Sequence, residues 1–264
     1  MVKLIAVPVV IWLASYAGRR WGHRVSGLIS GFPLIAAPIV LFLSFSAPRD
    51  FVADTAWFTM AAAPAIGVHC LVYAWLARLP LRRKFHWIVC LGGAWIACVA
   101  TQWLLSGWVI KSAAGGAMAV GEMLLAACLM PRMRVGTGVP RIPASEIVVR
   151  MLAALTIAAA VMIGAETFGP RVSGILLSFP ITASVLPVFT LYLYGADAAI
   201  KLLNGFMTGL LGFVPYFCVF ALLIEPLGAW PAFVAGTLAS VASVGLVLGW
   251  HWAGSRCGKE TLDE

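Results

Sequence analysis

Nine long apolar segments, joined by short polar connections, are the feature that most constrains the fold of this chain. They lie at about 3–18, 25–46, 53–78, 87–105, 109–130, 147–166, 172–193, 199–223 and 231–252. A membrane-spanning helix needs roughly 20 apolar residues, so nine spans leave only short connections. Only 11% of the 264 residues are charged, less than half of the roughly 25% typical of soluble proteins. The sequence therefore predicts an all-α polytopic membrane protein with about nine transmembrane helices.

The basic residues predict the orientation of these spans. If all nine segments cross the membrane, 14 of the 18 lysines and arginines fall on one side. Cytoplasmic loops carry such an excess. Without a span at 109–130, which contains Lys111 and Glu122, the bias largely disappears. We expect a multi-pass protein of the bacterial inner membrane, with its N-terminus outside and its C-terminus in the cytoplasm. The net charge of +8 then reports orientation, and we expect no nucleic-acid partner.

The sequence repeats itself with an offset of 147 residues. Residues 22–34 align without a gap on residues 169–181, and seven of the thirteen pairs are identical. Five predicted spans separate each pair, and because five is odd, the two copies are inverted relative to each other. We predict a four-helix repeat at 1–108 and a second, inverted one at 147–252. Between them lie a crossover helix at 109–130 and a cytoplasmic loop at 131–146, and a cytoplasmic tail follows at 253–264. Inverted repeats are common in secondary transporters; the alternative is a duplication that only enlarges a stable bundle.

Each repeat contains a helix that begins with Arg-Val-Ser-Gly and reaches Phe-Pro about eight residues later. Proline frees the carbonyl four residues back, and in lipid that group needs a partner in protein or in a water-lined cavity. Both breaks fall near the predicted midplane, so we predict that they face each other and form a binding site with donors from half-helix N-termini. The predicted substrate-binding residues are Arg24, Ser26, Gly27, Phe32, Pro33, Arg171, Ser173, Gly174, Phe179, Pro180, Thr182 and Ser184. The alternative is a pair of kinks that pack closely through small residues, with Arg24 reaching lipid headgroups.

Two ionisable residues, Glu122 and His69, lie well inside predicted spans. Their depths agree to within about 2 Å at helical rise, which permits a Glu122–His69 pair or a proton relay. We therefore name both residues as candidates for proton coupling. The alternatives are a protonated Glu122 bonded to a neighbouring backbone group and a packing role for His69.

No motif in the chain indicates catalysis. The six cysteines show no metal-ligand spacing, and phosphate-binding loops, dinucleotide fingerprints, zinc-protease helices and nucleophile elbows are absent from the sequence. We therefore predict no enzyme activity, no cofactor and no metal site. The expected partners are the lipid bilayer and an unidentified small solute, and the sequence is compatible with a homo-oligomer.

Two short motifs in the second half resemble a known family. They are Val-Ser-Gly-Ile-Leu-Leu-Ser-Phe-Pro at 172–180 and Phe-Val-Pro-Tyr-Phe at 213–217. Over about residues 165–252 the chain resembles the GlpM family of small bacterial inner-membrane proteins, whose members are similar to a single repeat. The first half matches only the Phe-Pro part. The resemblance implies a link to alginate production, but it implies no defined activity and no site residue.

Repeat, breaks and composition together predict a function. We expect a secondary transporter or exporter of a small polar or anionic solute or of a lipid-linked precursor, with its site between the broken helices of segments two and seven. The alternative, which the family resemblance implies, is a non-transporting membrane factor that supports envelope or exopolysaccharide assembly.

Overall fold

A computed structural model describes residues 2–105, 111–131, 143–167 and 179–260. Every regular element in these ranges is an α-helix, which confirms the predicted helical class. In chain order the helices α1 to α11 are Val2–Trp21, His23–Gly31, Ala36–Leu43, Arg49–Ala61, Ala63–Leu76, Arg83–Leu105, Ala113–Cys128, Ala144–Thr167, Ile181–Tyr194, Ala196–Leu227 and Ala229–Glu260.

Five helical stretches in the described ranges are long and apolar enough to cross a membrane. They are His23–Leu43, Arg49–Leu76, Phe85–Leu105, Ala196–Leu227 and Ala229–Gly249. The helices α7 and α9 are also apolar but shorter. These stretches indicate a helical membrane protein, whereas the larger number of nine spans stays a prediction.

Two of the predicted segments each consist of two helices. Segment 25–46 is interrupted between α2 and α3 at Phe32–Ile35, where Pro33 has no N–H to continue the helix. This confirms the predicted break. Segment 53–78 is interrupted at Ala62 between α4 and α5, which was not predicted. Pro64, in the first turn of α5, explains the interruption because it cannot donate to the preceding turn.

The helix α10 lies at the centre of the bundle. It packs against α2, α4, α5, α7, α9 and α11. In its most apolar stretch 67% of the residues are buried, against 22% in α11 and 17% in α6. The two outer helices therefore present most of their apolar side chains to the surroundings, as expected for helices that face lipid.

Small residues bring α2 and α10 into direct backbone contact. A Cβ atom added to Gly27 would lie 1.8 Å from the Leu202 carbonyl oxygen, and one added to Gly205 would lie 1.9 Å from the Arg24 carbonyl oxygen. Only glycine fits at these positions, as is typical of close helix pairs in membranes. This contact fixes the end of α2, and with it the first Phe-Pro break, against the central helix.

Candidate functional site

A cavity of about 100 Å³ lies between the two Phe-Pro breaks. Phe32 and Pro33 contribute to its wall from the first break, and Phe179 and Pro180 contribute from the second. We call this space the break cavity. A single water needs roughly 10–15 Å³ of such volume, so the break cavity has room for a ligand of several heavy atoms. The structure thus brings together two motifs that lie 147 residues apart in the chain.

The two breaks share the same local turn. The Leu34 N–H donates to the Phe32 carbonyl at 2.8 Å, and the Ile181 N–H donates to the Phe179 carbonyl at 2.9 Å. Pro180, between the last two residues, has φ −79° and ψ 70°, which are the angles of an inverse γ-turn. Each Phe-Pro motif therefore folds the chain back over its proline before the next helix begins.

A second backbone bond also recurs at both breaks. The Ala37 N–H donates to the Pro33 carbonyl at 2.8 Å, and the Ser184 N–H donates to the Pro180 carbonyl at 3.0 Å. These bonds start α3 and α9, whose N-terminal ends therefore lie at the wall of the break cavity. The two halves of the wall have matching backbone structure.

Further lining residues come from α4, α5 and α10 and from the starts of α3 and α9. Several of them form pairs that are 147 residues apart, like the Phe-Pro motifs themselves. These pairs are Ile35 with Thr182, Thr59 with Phe206, and Ile66 with Phe213. The wall of the break cavity is thus built from corresponding positions of the two sequence repeats.

The wall of the break cavity carries hydroxyl groups, and none of the described residues that line it is charged. The Ser30 hydroxyl donates to the Ser26 carbonyl at 2.8 Å, and the Thr59 hydroxyl donates to the Thr55 carbonyl at 2.7 Å. Thr182 is only 7% exposed, and its hydroxyl has no hydrogen-bond partner among the residues that the structure describes. Ser30 and Thr59 thus use their hydroxyls within their own helices, whereas no partner is described for the Thr182 hydroxyl.

His69 supports the second break from α5. Pro187 cannot donate to the Ala183 carbonyl, and the His69 Nε2 atom lies 3.2 Å from that oxygen, so Nε2 carries the proton and donates. Both His69 and Glu122 are described, and no hydrogen bond or ion pair joins them. Glu122 is half-buried on α7. The geometry therefore gives His69 a structural partner other than Glu122.

Trp95 supports the same break from α6. Its Nε1 atom donates to the Ser184 hydroxyl at 2.9 Å, and this hydroxyl donates to the Pro180 carbonyl at 2.8 Å. The Trp95 ring also contacts the Phe179 ring edge-on, with centroids 5.2 Å apart. Ser184, a predicted binding residue, thus lies behind the wall and holds the proline in place.

The remaining predicted binding residues fall in three groups. Ser26 is buried away from the break cavity, and Gly27 packs against α10, as the packing alternative expected. Arg24 is exposed at the start of α2. Arg171, Ser173 and Gly174 lie outside the described residues. Of the predicted set, the cavity wall includes Phe32, Pro33, Phe179, Pro180 and Thr182.

Sequence analysis did not single out Thr59, Ile66, Phe206 or Trp95 as site residues. The first three could have been found from the repeat, because the offset of 147 residues pairs Thr59 with Phe206 and Ile66 with Phe213. Trp95 carries no such signal, since tryptophan in a membrane helix usually anchors the helix at an interface.

A second polar group, the arginine cluster, consists of Arg150, Glu146, Tyr194 and His23. The Arg150 side chain is 1% exposed and pairs with Glu146 at 2.5 Å. The Tyr194 hydroxyl donates to the other Glu146 oxygen at 2.8 Å, and the His23 ring contacts the Tyr194 ring. The cluster ties α8 to the end of α9 and was not predicted, although the i,i+4 spacing of Glu146 and Arg150 is visible in the sequence.

Fold and site together define a helical membrane protein with a small cavity between two Phe-Pro turns, and the described residues that line this cavity are uncharged. No protein-family model matches the chain, and no curated protein or solved structure is significantly similar to it. The resemblance to the GlpM family therefore stays a prediction.

Proposed function

We propose that the chain is a secondary transporter or exporter that moves a small polar or anionic solute across the membrane by way of the break cavity. One observation carries the proposal: two repeated Phe-Pro breaks, with the same turn, line one cavity. In many transporters the substrate site lies between interrupted helices of two inverted repeats. A cavity of about 100 Å³ favours a small solute over a lipid-linked precursor.

We further propose that the chain forms nine spans in an inverted arrangement of four, one and four. The pairs of packed helices support this arrangement. The helices α5 and α6 pack together, as do their repeat counterparts α10 and α11. The repeat also relates α6 to α11 and α3 to α9. Accordingly, α6 packs against α9, and α11 packs against α3. The predicted crossover helix α7 contacts α5 and α10, which are counterparts of each other.

Proton coupling through Glu122 and His69 is a separate part of the proposal. His69 lies one hydrogen bond from the second break, so a change in its protonation would act directly on the Ala183 carbonyl. A Glu122→Gln variant removes the titratable carboxyl and keeps the side-chain shape. If Glu122 couples protons, this variant loses the pH dependence of transport; an unchanged pH profile contradicts coupling through Glu122.

Flux in proteoliposomes that contain only this protein tests the proposal. Empty liposomes are the control, and a panel of small anions, zwitterions and neutral polar solutes is screened with a proton or sodium gradient. We expect gradient-dependent flux of at least one solute. We also expect Pro33→Ala and Pro180→Ala to insert normally and lose most of that flux, because each restores helical continuity at a break. Pro8→Ala in α1 is the matched control, since Pro8 is a helix-internal proline away from the break cavity.

Accessibility labelling gives a second test that needs no substrate. In a cysteine-free background, Ser30→Cys and Thr182→Cys place single thiols in the wall of the break cavity, whereas Ser15→Cys places one at a buried position outside it. Alternating access predicts that a membrane-impermeant maleimide reaches the first two positions from both sides and does not reach position 15. Correctly inserted protein with no flux and no labelling of the wall overturns transport and favours the assembly-factor alternative.

A further inference from the structure

We infer that a cleft at one end of the bundle binds the headgroup of a membrane phospholipid, a headgroup that joins a phosphate to hydrogen-bond donors. The cleft lies between the α5–α6 connection and the turn from α9 to α10, and its volume is about 560 Å³. We call it the Arg78 cleft. Its wall consists of Ala77, Arg78, Leu79, Leu81, His86 and residues 191–197. The inference is independent of the proposed transport function.

The Arg78 cleft lies where three candidate membrane spans begin or end. The span Arg49–Leu76 ends one residue before the wall, and the spans Phe85–Leu105 and Ala196–Leu227 begin at the wall. Leu79 and Leu81 in the wall have exposed apolar side chains. Basic pockets between membrane helices bind lipid headgroups at such boundaries. The position of the cleft therefore favours a lipid over a water-soluble ligand.

The sequence repeat explains why this corner of the bundle is open. At the corresponding corner of the other repeat, Arg49 at the start of α4 donates from Nη1 to the Glu225 carbonyl at 3.1 Å and so bridges α4 and the end of α10. The offset of 147 residues pairs Arg49 with Ala196 and Glu225 with Arg78. Ala196 is too short to bridge the equivalent gap, and both Ala196 and Arg78 line the cleft. A ligand can therefore occupy the space that the Arg49 side chain fills in the other corner.

Arg78 has two donors that lack acceptors. Its Nε and Nη2 atoms are buried and have no hydrogen-bond partner in the described structure. These two nitrogens form one edge of the guanidinium group, whose parallel N–H groups fit two oxygens of a phosphate. Arg78 lines the cleft and is only half-buried as a whole, so a rotation of its side chain brings this edge to a ligand. Because buried donors without acceptors are costly, a bound phosphate would stabilise the site.

The wall also contains acceptors, and these select the rest of the headgroup. The carbonyls of Leu193 and Tyr194, at the end of α9, receive no backbone N–H from the described residues. His86 donates from Nε2 to the Leu76 carbonyl at 3.1 Å and so is already used. Asp197 is the only acidic residue in the described part of the wall, and it already has an interaction partner. A ligand that satisfies the whole wall thus carries N–H or O–H groups beside its phosphate, as ethanolamine and glycerol headgroups do.

The internal segments outside the described ranges contain no acidic residue that could cancel the charge of Arg78. Every charged residue in 106–110, 132–142 and 168–178 is an arginine. The sequence that follows Arg78 is also basic, with Arg-Arg-Lys at 82–84. These residues add positive charge to the chain, which favours an anionic phosphate further.

Native mass spectrometry of the purified full-length protein in detergent tests the inference, because it resolves individual bound lipids. The probes are phosphatidylethanolamine, phosphatidylglycerol, phosphatidylcholine and diacylglycerol, all with dioleoyl chains. Phosphatidylcholine has a phosphate but no headgroup donor, and diacylglycerol has a hydroxyl but no phosphate. We expect each of the first two lipids to bind at least about tenfold more tightly than each of the last two, since hydrogen bonds to charged groups contribute this much. Equal binding of all four lipids overturns the inference.

Variants locate the binding site. Arg78→Gln removes the charge and should weaken the binding of phosphatidylethanolamine by about tenfold or more. Arg82→Gln is the matched control, since Arg82 is exposed in the same connection and does not line the cleft, and it should bind this lipid like the unchanged protein. Ala196→Arg gives the open corner the residue of the closed corner and should also weaken binding while the far-UV circular dichroism stays unchanged. Equal losses in the two arginine variants, or full binding in Ala196→Arg, overturn the Arg78 cleft as the site.

A water-soluble competitor distinguishes a lipid from a free phosphodiester. Glycerophosphoethanolamine has the same headgroup as phosphatidylethanolamine but no acyl chains. We expect it not to displace the lipid at equal concentration, because the acyl chains contribute to binding by contact with the apolar rim of the cleft. Displacement at equal concentration would show that the cleft takes the free phosphodiester, which overturns a membrane lipid as the ligand.

Discussion

The two Phe-Pro breaks have the same turn but different support. At the second break, polar side chains hold the turn: His69 donates to the Ala183 carbonyl, and Trp95 donates to Ser184. At the first break, the repeat counterparts of His69 and Ser184 are Tyr216 and Ala37. The Tyr216 hydroxyl is buried without a hydrogen-bond partner within the described structure. The first break depends instead on the glycine contact between α2 and α10.

This difference shows that the turn is determined by the local sequence, whereas its support is determined by the neighbouring helices. The turn depends on Phe and Pro, which both repeats keep, and on the backbone N–H of the next residue, Leu34 or Ile181, so both breaks have it. The support depends on neighbouring helices, where the repeats have diverged. Direct hydrogen bonds fix the start of α9, and the arginine cluster fixes its end. Substitutions near the second break should therefore lower stability by removing hydrogen bonds or charges. Substitutions near the first break should lower stability by disturbing the backbone contact between α2 and α10.

The largest effect is expected from Arg150→Met in the arginine cluster. The substitution leaves Glu146 as a buried, unpaired carboxylate beside Tyr194, and removing one partner of a buried ion pair costs about 3–5 kcal/mol. Unfolding by SDS in mixed micelles, followed by far-UV circular dichroism, measures this loss. The double variant Glu146→Gln/Arg150→Met removes both charges and should recover more than half of it. A single variant as stable as the unchanged protein would contradict the polar support of α9.

The next largest effect is expected from Gly27→Ala at the first break. The new Cβ would lie 1.8 Å from the Leu202 carbonyl oxygen, so α2 and α10 must separate, and overpacking of this kind costs about 3 kcal/mol. Gly92→Ala in α6 is the matched control, because nothing lies within 4 Å of its new Cβ. By helix propensity it should raise the free energy of unfolding by up to about 1 kcal/mol. Equal effects of the two variants would show that the glycine contact does not support the first break.

Sequence analysis could predict the helical class, the first Phe-Pro break and the meeting of the two Phe-Pro motifs, whereas their depth in the membrane stays a prediction. These features depend on hydrophobic length, on proline chemistry and on a repeat offset, all of which can be recognised in one sequence. It missed the partner of His69, which lies 114 residues away in the chain, because depth in the membrane does not fix how a helix is rotated. It missed the role of Trp95 for the same reason. The interruption at Ala62 escaped notice because Pro64 lies in a helical first turn, where proline is tolerated.

His69 and Tyr216 occupy corresponding positions of the two repeats, so substitutions there compare the support of the two breaks directly. His69→Leu leaves the Ala183 carbonyl without a donor in a buried site, which should lower the free energy of unfolding by about 2 kcal/mol. Tyr216→Phe removes a hydroxyl that has no partner in the described structure and should change stability by no more than about 0.5 kcal/mol. Both are measured by SDS titration in the same micelles. A larger loss for Tyr216→Phe than for His69→Leu would reverse the assignment of polar support to the second break.

A smaller loss than that of His69→Leu is expected from Ser184→Ala, which gives the second break the residue type that the first break has at Ala37. The variant loses the bond from Trp95 and the bond to the Pro180 carbonyl. Because that carbonyl keeps its backbone donor, the loss should be only about 1 kcal/mol. Ser243→Ala is the matched control, since Ser243 bonds only to a carbonyl of its own helix, and its effect should stay below about 0.5 kcal/mol. Ser184→Ala should also shift the fluorescence of Trp95, measured in a background where Trp95 is the sole tryptophan, because the indole N–H loses its acceptor. An unchanged spectrum would show that Trp95 does not hold the second break through Ser184.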